Sequence, residues 1–536
     1  MRILPPMAAS QAKTSGGEIV RRAGVVAAGT LSSRILGAVR DAVVAAVFAL
    51  AATDAFWLAF TIPNALRVLL GEGAVSAAFV PVFTEVRERE SRARAKEFYA
   101  NLIGAMAVVL LVVTLVGVLG APWIVKAYAW GFQRDDALFE TTVALTRLVF
   151  PYIFLMGLSA LMMGALHASK RFAAPAFAPA LLNISLIAAA LLLAPVLMDL
   201  GWPAIFALAF GALLGGLLQL LAQLPSLRSV GLIVRPRIGF RDIYVRKCAR
   251  LMVPLLAGLG VYQLNVLLSR LFASFLPTGS VSYLYYGQRL AEIPQGMFAL
   301  AIASAALPSL SEAVARDDED EAKRLFRHAL RLSLFVAIPA GVALAILAEP
   351  AVTVFFGRGR YDAAAVAETA RSFVWQAAGI WAVASVRTII PMFHAHNDTR
   401  TPVVASAFNL VTFIALSFAL MGPMQHAGLA AATTGAAVAQ LAALLWLLRR
   451  RSGPLGMGEV NHSLIRVVVA SAVMGVVVWL GAGLGDWTLG GNDPRNLAVF
   501  AGTALVGLLT YLLVAALLRA PELLDVVSAV RRRIRA

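Results

Sequence analysis

Charge is what this sequence has least of. Only 14% of its 536 residues are Asp, Glu, Lys or Arg, against roughly a quarter in an ordinary soluble chain, so a water-soluble multidomain protein is excluded. Cysteine is nearly absent too. Cys248 stands alone, which removes a disulfide framework and a cysteine metal site. His167, His394 and His396 lie near the ends of apolar segments without zinc-ligand spacing, and read as interface residues. No phosphate-binding P-loop, HExxH pair or nucleophile elbow occurs, so no cofactor, metal or covalent chemistry is expected. Acids are scarce relative to bases, leaving a net charge of +17. The bases fall in short runs between apolar segments, which marks membrane topology and argues against nucleic acid.

Apolar residues are what the chain has in excess: 60% of the total, with a mean hydropathy of +0.81. Segments long enough to span a bilayer run near 23–48, 54–82, 99–128, 139–167, 174–197, 202–224, 248–276, 279–311, 326–355, 365–393, 401–421, 427–448, 464–484 and 495–518. The expected fold is an all-α polytopic membrane protein of about fourteen transmembrane helices. Basic clusters alternate with loops poor in Lys and Arg. They stand at Lys13/Arg21/Arg22, Arg87 to Lys96, Lys170/Arg171, Arg228 to Arg250, Arg316 to Arg331, Arg449 to Arg451 and Arg531 to Arg535. The positive-inside rule then puts both termini in the cytoplasm of a bacterial inner membrane. Met1 to Arg22 is polar and basic, and is expected to be a cytoplasmic tail, not a cleaved signal.

An internal repeat shows at one offset. Pro81 and Glu85 recur as Pro308 and Glu312, His167-Ala168 as His394-Ala395, and Pro175 as Pro402, each 227 positions on. Two six-helix lobes of like orientation follow, with a substrate path between them. The expected division is 1–230 for the first lobe, 231–452 for the second, and 453–536 for two further spans and a basic tail.

Ionisable residues inside spans are the candidate functional groups. The first span carries Arg34, Arg40 and Asp41; the second carries Arg67 and Glu72; the eighth carries Arg289 and Glu292. A mid-helix Arg costs about 2.5–3.5 kcal/mol on insertion scales, so four together would cost on the order of 10–14 kcal/mol before pairing and water reduce it. Such a cost marks a water-filled cavity. The plainer alternatives are that Arg40 snorkels to the outer interface and that Arg289 and Glu292 form an intrahelical ion pair. Gly71 and Gly73 flank Glu72 and suggest a hinge in the second span, or a close packing contact.

These residues lie in recognisable blocks. Ser32-Ser33-Arg34-Ile35-Leu36-Gly37-Ala38-Val39-Arg40-Asp41, then Ala52-Thr53-Asp54-Ala55-Phe56, Pro63-Asn64-Ala65-Leu66-Arg67, Glu72-Gly73-Ala74 and Ala78-Phe79-Val80-Pro81 resemble the first spans of the MurJ (MviN-type) lipid II flippases. The likeness continues through Pro175 to Pro179, Leu182-Asn183-Ile184, Ser280-Val281-Ser282 with Tyr285-Tyr286, and the more widely shared Asp398-Thr399-Arg400-Thr401-Pro402. The resemblance implies a fourteen-helix transporter of the flippase and multidrug-exporter superfamily, with a central cationic cavity and a groove for a lipid tail at the last two spans. The implied substrate is lipid II, the undecaprenyl-diphosphate-linked peptidoglycan precursor, moved from the cytoplasmic to the periplasmic leaflet. Membrane lipids and cell-wall synthesis enzymes are the implied partners. Carried over residue by residue, Arg34, Arg40, Arg67 and Arg289 would bind substrate, with Asp41, Asp54, Glu72 and Glu292 as functional acids. Gln288 departs from the family pattern, which has an acid before the arginine. Span 248–276 contains no Asp or Glu, so no sodium site is carried over.

The competing readings are a flippase for another polyprenyl-linked glycan, a cation-coupled multidrug exporter, and an integral-membrane polyprenyl-phosphate transferase. An exporter of organic cations would place acids, not arginines, in its cavity. A transferase would need a clustered acid or histidine constellation that the short loops do not offer.

Overall fold

In hydrocarbon every backbone N–H and C=O must be paired within the segment, and helices do this for apolar runs of this length. The structure is a computed structural model that describes residues 16–69, 75–295 and 300–525; every regular element among them is helical. The first half contains α1 (Gly16–Val47), α2 (Leu50–Arg67), α3 (Val75–Arg89), α4 (Arg92–Leu119), α5 (Ala121–Tyr128), α6 (Asp136–Val149), α7 (Tyr152–Ala168), α8 (Ala173–Ala188), α9 (Ala194–Asp199) and α10 (Phe206–Ser229). The second contains α11 (Ile243–Ser274), α12 (Ser280–Pro294), α13 (Leu300–Ala315), α14 (Glu319–Ile346), α15 (Ala348–Phe356), α16 (Ala363–Ala378), α17 (Ile380–Ala395), α18 (Arg400–Met424) and α19 (His426–Ser452). Two more, α20 (Gly458–Ala482) and α21 (Pro494–Leu517), complete the set. The expected hinge at Gly71 and Gly73, and Glu72 between them, lie outside the described residues.

Local chemistry sets the helix ends. Ser91 caps α4 by accepting from the Arg94 amide, and Asp135 caps α6 through the Leu138 amide. Asp242 does the same for α11, and Asp362 for α16. The Asp-Thr-Arg-Thr-Pro element is another such cap: one Asp398 oxygen accepts from the Arg400 and Thr401 amides while the other takes the Thr401 hydroxyl and Arg451. Each satisfies amides that a helix start leaves orphaned. Several segments long enough for one crossing are broken in two, α6 from α7 at Pro151, which has no N–H to continue the ladder.

The repeat is visible in the helix boundaries. Arg92 and Glu319, Ala121 and Ala348, Asp136 and Ala363, and Ala173 and Arg400 open α4/α14, α5/α15, α6/α16 and α8/α18. Members of each pair are 227 positions apart. In the first half α8 packs between α1 and α10, α10 on α7, and α7 on α3. In the second, α16 packs between α12 and α19, and α17 against α13 and α14. The α20–α21 hairpin sits against α14 and turns Ile465, Val469, Val476 and Leu480 outward, with Leu505, Leu509, Leu513 and Leu517. Unpaired apolar faces of this size suit acyl chains, not water.

Among the described residues, ten helical segments are long and apolar enough to cross a membrane. The helices outside that set are α1–α3 and α11–α13, apart from short α5 and α15. They are the ones that hold the ionised groups described next.

The two halves are tied together at one end. Thr53 and Ser282 share a 2.8 Å hydroxyl contact, the Gly131 amide reaches the Ser274 hydroxyl at 3.3 Å, and the Arg360 amide donates to the Ala46 carbonyl at 2.9 Å. Gly131 is required there: a Cβ would stand 1.9 Å from the Ser274 carbonyl oxygen. All these contacts fall at the loops poor in Lys and Arg.

Candidate functional site

The site begins one turn below those ties. On α1, Arg40 and Asp41 are 7% and 2% exposed. The Arg40 guanidinium donates to Asp41 Oδ1 from both Nε (2.9 Å) and Nη2 (2.6 Å), and through Nη1 to Asn183 of α8 at 3.0 Å. Asn183 in turn donates to the Ser33 carbonyl, fixing α8 against α1 where Gly37 leaves room. Snorkelling is therefore not what Arg40 does; it points inward, into a buried network.

From the other half, α12 brings Tyr285, Arg289 and Glu292 along one face, at the i, i+4 and i+7 spacing. Arg40 Nη2 and Arg289 Nη2 each donate to the Tyr285 hydroxyl at 3.1 Å. Arg289 pairs with Glu292 at 2.8 Å and lies 3.6 Å from Asp41 Oδ2. The intrahelical pair expected from sequence is present, and a bridge between the halves is added to it. Gln288 donates to the second Glu292 oxygen at 3.0 Å, so the amide holds the acid in place. Trp57 of α2 stacks on the Tyr285 ring at 3.8 Å between centroids.

Exposure changes sharply across this cluster. The Asp41 side chain is 3% exposed, while Arg289 and Glu292 beside it are 38% and 39% exposed. Arg34 is exposed, and it lies seven residues before Asp41 on the same α1 face, about 10.5 Å along the axis. The surface that is sealed at Asp41 is thus open further down, on the side of the basic loops. Arg67, at the end of α2, donates to Asn64 at 3.0 Å and is half-buried.

Asp54 occupies a separate position. It is 1% exposed, and its carboxylate accepts the Gly279 amide at 2.6 Å and the Ser282 amide at 2.8 Å. An acid on α2 thereby caps α12 of the opposite half, where the helix dipole favours negative charge. Gly279 takes φ +98°, open chiefly to glycine.

Several site residues were not singled out by sequence. Tyr285, Trp57, Asn183 and Ser282 carry no charge, and only the bundle brings them together. Arg270 carries a charge inside the span 248–276 and was not singled out either. It is 4% exposed, donates to the Val281 carbonyl at 2.9 Å, and lies 5.5 Å from the centre of the Tyr285 ring.

Two duplicated helical lobes joined at one end over a buried guanidinium–carboxylate cluster, open on the opposite side, define a polytopic membrane transporter and not an enzyme. A family model described as "Lipid II flippase MurJ" matches residues 43–491, and the chain belongs to that family. It is 35% identical over 497 residues to the "Probable lipid II flippase MurJ" of Vibrio cholerae, covering 90% of this chain and 93% of that relative. It is 34% identical over 483 residues to the "Lipid II flippase MurJ" of Burkholderia cenocepacia, covering 89% and 93%. Its fold resembles a solved "Lipid II flippase MurJ, inward closed conformation" with TM-score 0.77 at 24% identity, covering 92% of this chain and 98% of that one. An inward-facing multidrug resistance MATE family transporter of the MOP superfamily gives TM-score 0.64 at 15% identity, covering 79% and 96%.

Proposed function

We propose that this protein moves lipid II from the cytoplasmic to the periplasmic leaflet by alternating access between its two lobes, taken as residues 1–230 and 231–452. The carrying observation is the Arg40–Asp41–Tyr285–Arg289 cluster, buried between the halves and reached from the side of the basic loops. A diphosphate at membrane depth needs cationic donors, and the planar guanidinium fork engages its oxygens two at a time. Arg34, exposed on the approach, meets the diphosphate first. Arg289, already exposed, exchanges Glu292 and Asp41 for phosphate oxygens; Arg40 and Arg67 complete the cationic set. The acids Asp41 and Glu292 keep the empty site neutral enough to exist in a bilayer, and Glu72 belongs to the same set of functional acids. Asp54 seals the periplasmic side by capping α12. The prenyl tail stays in lipid, and residues 453–536 offer the apolar α20–α21 face for it.

The loops bearing basic clusters lie in the cytoplasm, with both termini, in an inner-membrane protein. Cell-wall synthesis enzymes, which consume the substrate outside, are its natural neighbours. The test is depletion in the native host, with lipid-linked peptidoglycan units scored by leaflet. Wild type restores the outer-leaflet pool, and Arg34→Ala, Arg67→Ala or Arg289→Ala inserts normally but does not. Full rescue by all three removes the arginines from the mechanism.

A further inference from the structure

Arg270 is a buried arginine that makes no ion pair within 4 Å among the described residues; the acid that acts on it, Asp54, does so at longer range. Among the described residues its partners are a backbone carbonyl, that of Val281, and the face of the Tyr285 ring. Arg40 and Arg289 are both neutralised by Asp41 or Glu292. Leaving a guanidinium buried with only these partners is unfavourable, and a carbonyl at the start of a helix could be satisfied far more cheaply by its own ladder.

Its position is ordered relative to the other two. The helix α12 descends from the sealed end, so Val281, Tyr285 and Arg289 stand at successive turns. Arg270 contacts the first two, Arg40 the second, and Arg289 the second and its own turn. Arg270 therefore lies on the outward side of the cluster, directly behind the corner that Asp54 holds shut through Gly279 and Ser282. It also stands on α11, the repeat counterpart of α1, which supplies Arg40: each half contributes one buried arginine from its first helix.

We infer that Arg270 is a diphosphate-binding residue of the outward-open state, the cation that takes over the substrate's diphosphate when the α11–α12 corner parts from Asp54. In the closed arrangement it is sealed and cannot touch substrate. Once the corner moves, Tyr285 and the Val281 carbonyl are neutral partners, so nothing competes electrostatically with a phosphate for its charge. This inference rests on the flippase reading above.

The test uses the full-length protein in its native membrane. Arg270→Gln keeps a polar N–H donor on a shorter side chain but not the charge; Arg270→Lys keeps the charge. The ligand role requires outer-leaflet delivery at least 10-fold slower in Arg270→Gln and within about 3-fold of wild type in Arg270→Lys, at equal membrane abundance. Equal activity of the two overturns the role and leaves Arg270 as a brace of the corner. Because either change could unsettle the corner, a second arm uses Arg270→Cys with Cys248→Ala. A membrane-impermeant trimethylammonioethyl thiosulfonate added from the periplasm should modify it and restore delivery, whereas the uncharged methyl reagent should modify it without restoring it. Modification from the cytoplasmic side alone, or equal restoration by the methyl reagent, overturns the inference. A wild-type protein that delivers no lipid II sinks the function itself; an active wild type with an active Arg270→Gln sinks only this residue's role.

Discussion

At the scale of single residues, the site is built from charges that satisfy one another across the halves. Asp54 shows how much one carboxylate can hold. It closes the outward end with two amide bonds to α12 and sits at the positive end of that helix. A cap of this kind contributes about 1–2 kcal/mol, and 1.4 kcal/mol is about a tenfold change in an equilibrium. Asp54→Ala is therefore expected to raise the outward-open population about tenfold. A single cysteine at Ser282, with Cys248→Ala, should be labelled correspondingly faster from the periplasm. Labelling unchanged from the parent would remove Asp54 from the closure. Gln288 has a simpler reading: in place of an acid it offers an amide, and that amide steadies Glu292.

At the scale of elements, the contact between residues 130–134 and the end of α11 is the tightest join of the two halves. The Gly131 amide meets the Ser274 hydroxyl there, and no side chain fits between the backbones. Gly131→Ala should wedge this join apart and favour outward opening, lowering substrate delivery while leaving membrane insertion intact. Crosslinking between cysteines at Gln133 and Leu276 reports it: faster crosslinking in the variant than in its parent would contradict the wedge. The first segment of α11 belongs to the opposite end of the molecule. Lys247 pairs with Glu85 at 2.6 Å, Asp242 pairs with Arg94 at 3.0 Å, and Tyr244 bonds to Glu90, so α11 starts against α3 and α4 of the first half and ends against α12 of the second. The Lys247 contact holds the Glu85 carboxyl below its usual range, so on the acid side this tie persists until the pH falls below that range.

At the scale of the whole molecule, the sign of the cavity charge couples transport to the membrane potential. An anionic head group moving outward from a negative cytoplasm gains about 2.3 kcal/mol per charge per 100 mV. Collapsing the potential is expected to slow delivery and to hold the protein in one accessibility state. Periplasmic labelling at Ser282 in energised and de-energised vesicles measures this, and identical patterns would rule out a voltage contribution.

The apolar spans, the alternation of basic loops, the 227-residue repeat and the presence of Arg40, Asp41, Arg289 and Glu292 inside helices were legible in the sequence, because length, hydropathy and misplaced charge are local properties. They said that something costly was buried and roughly at what depth. They could not say which charge met which. Asp41 lies next to Arg40 in the chain, yet its second oxygen faces Arg289 on a helix about 250 positions away. Tyr285, Trp57 and Asn183 are unremarkable apolar or amide residues until two lobes bring them around a guanidinium. Arg270 was not singled out, because depth along a helix does not tell which way the side chain faces. Partner choice and orientation depend on how the lobes meet, and only the tertiary structure decides that.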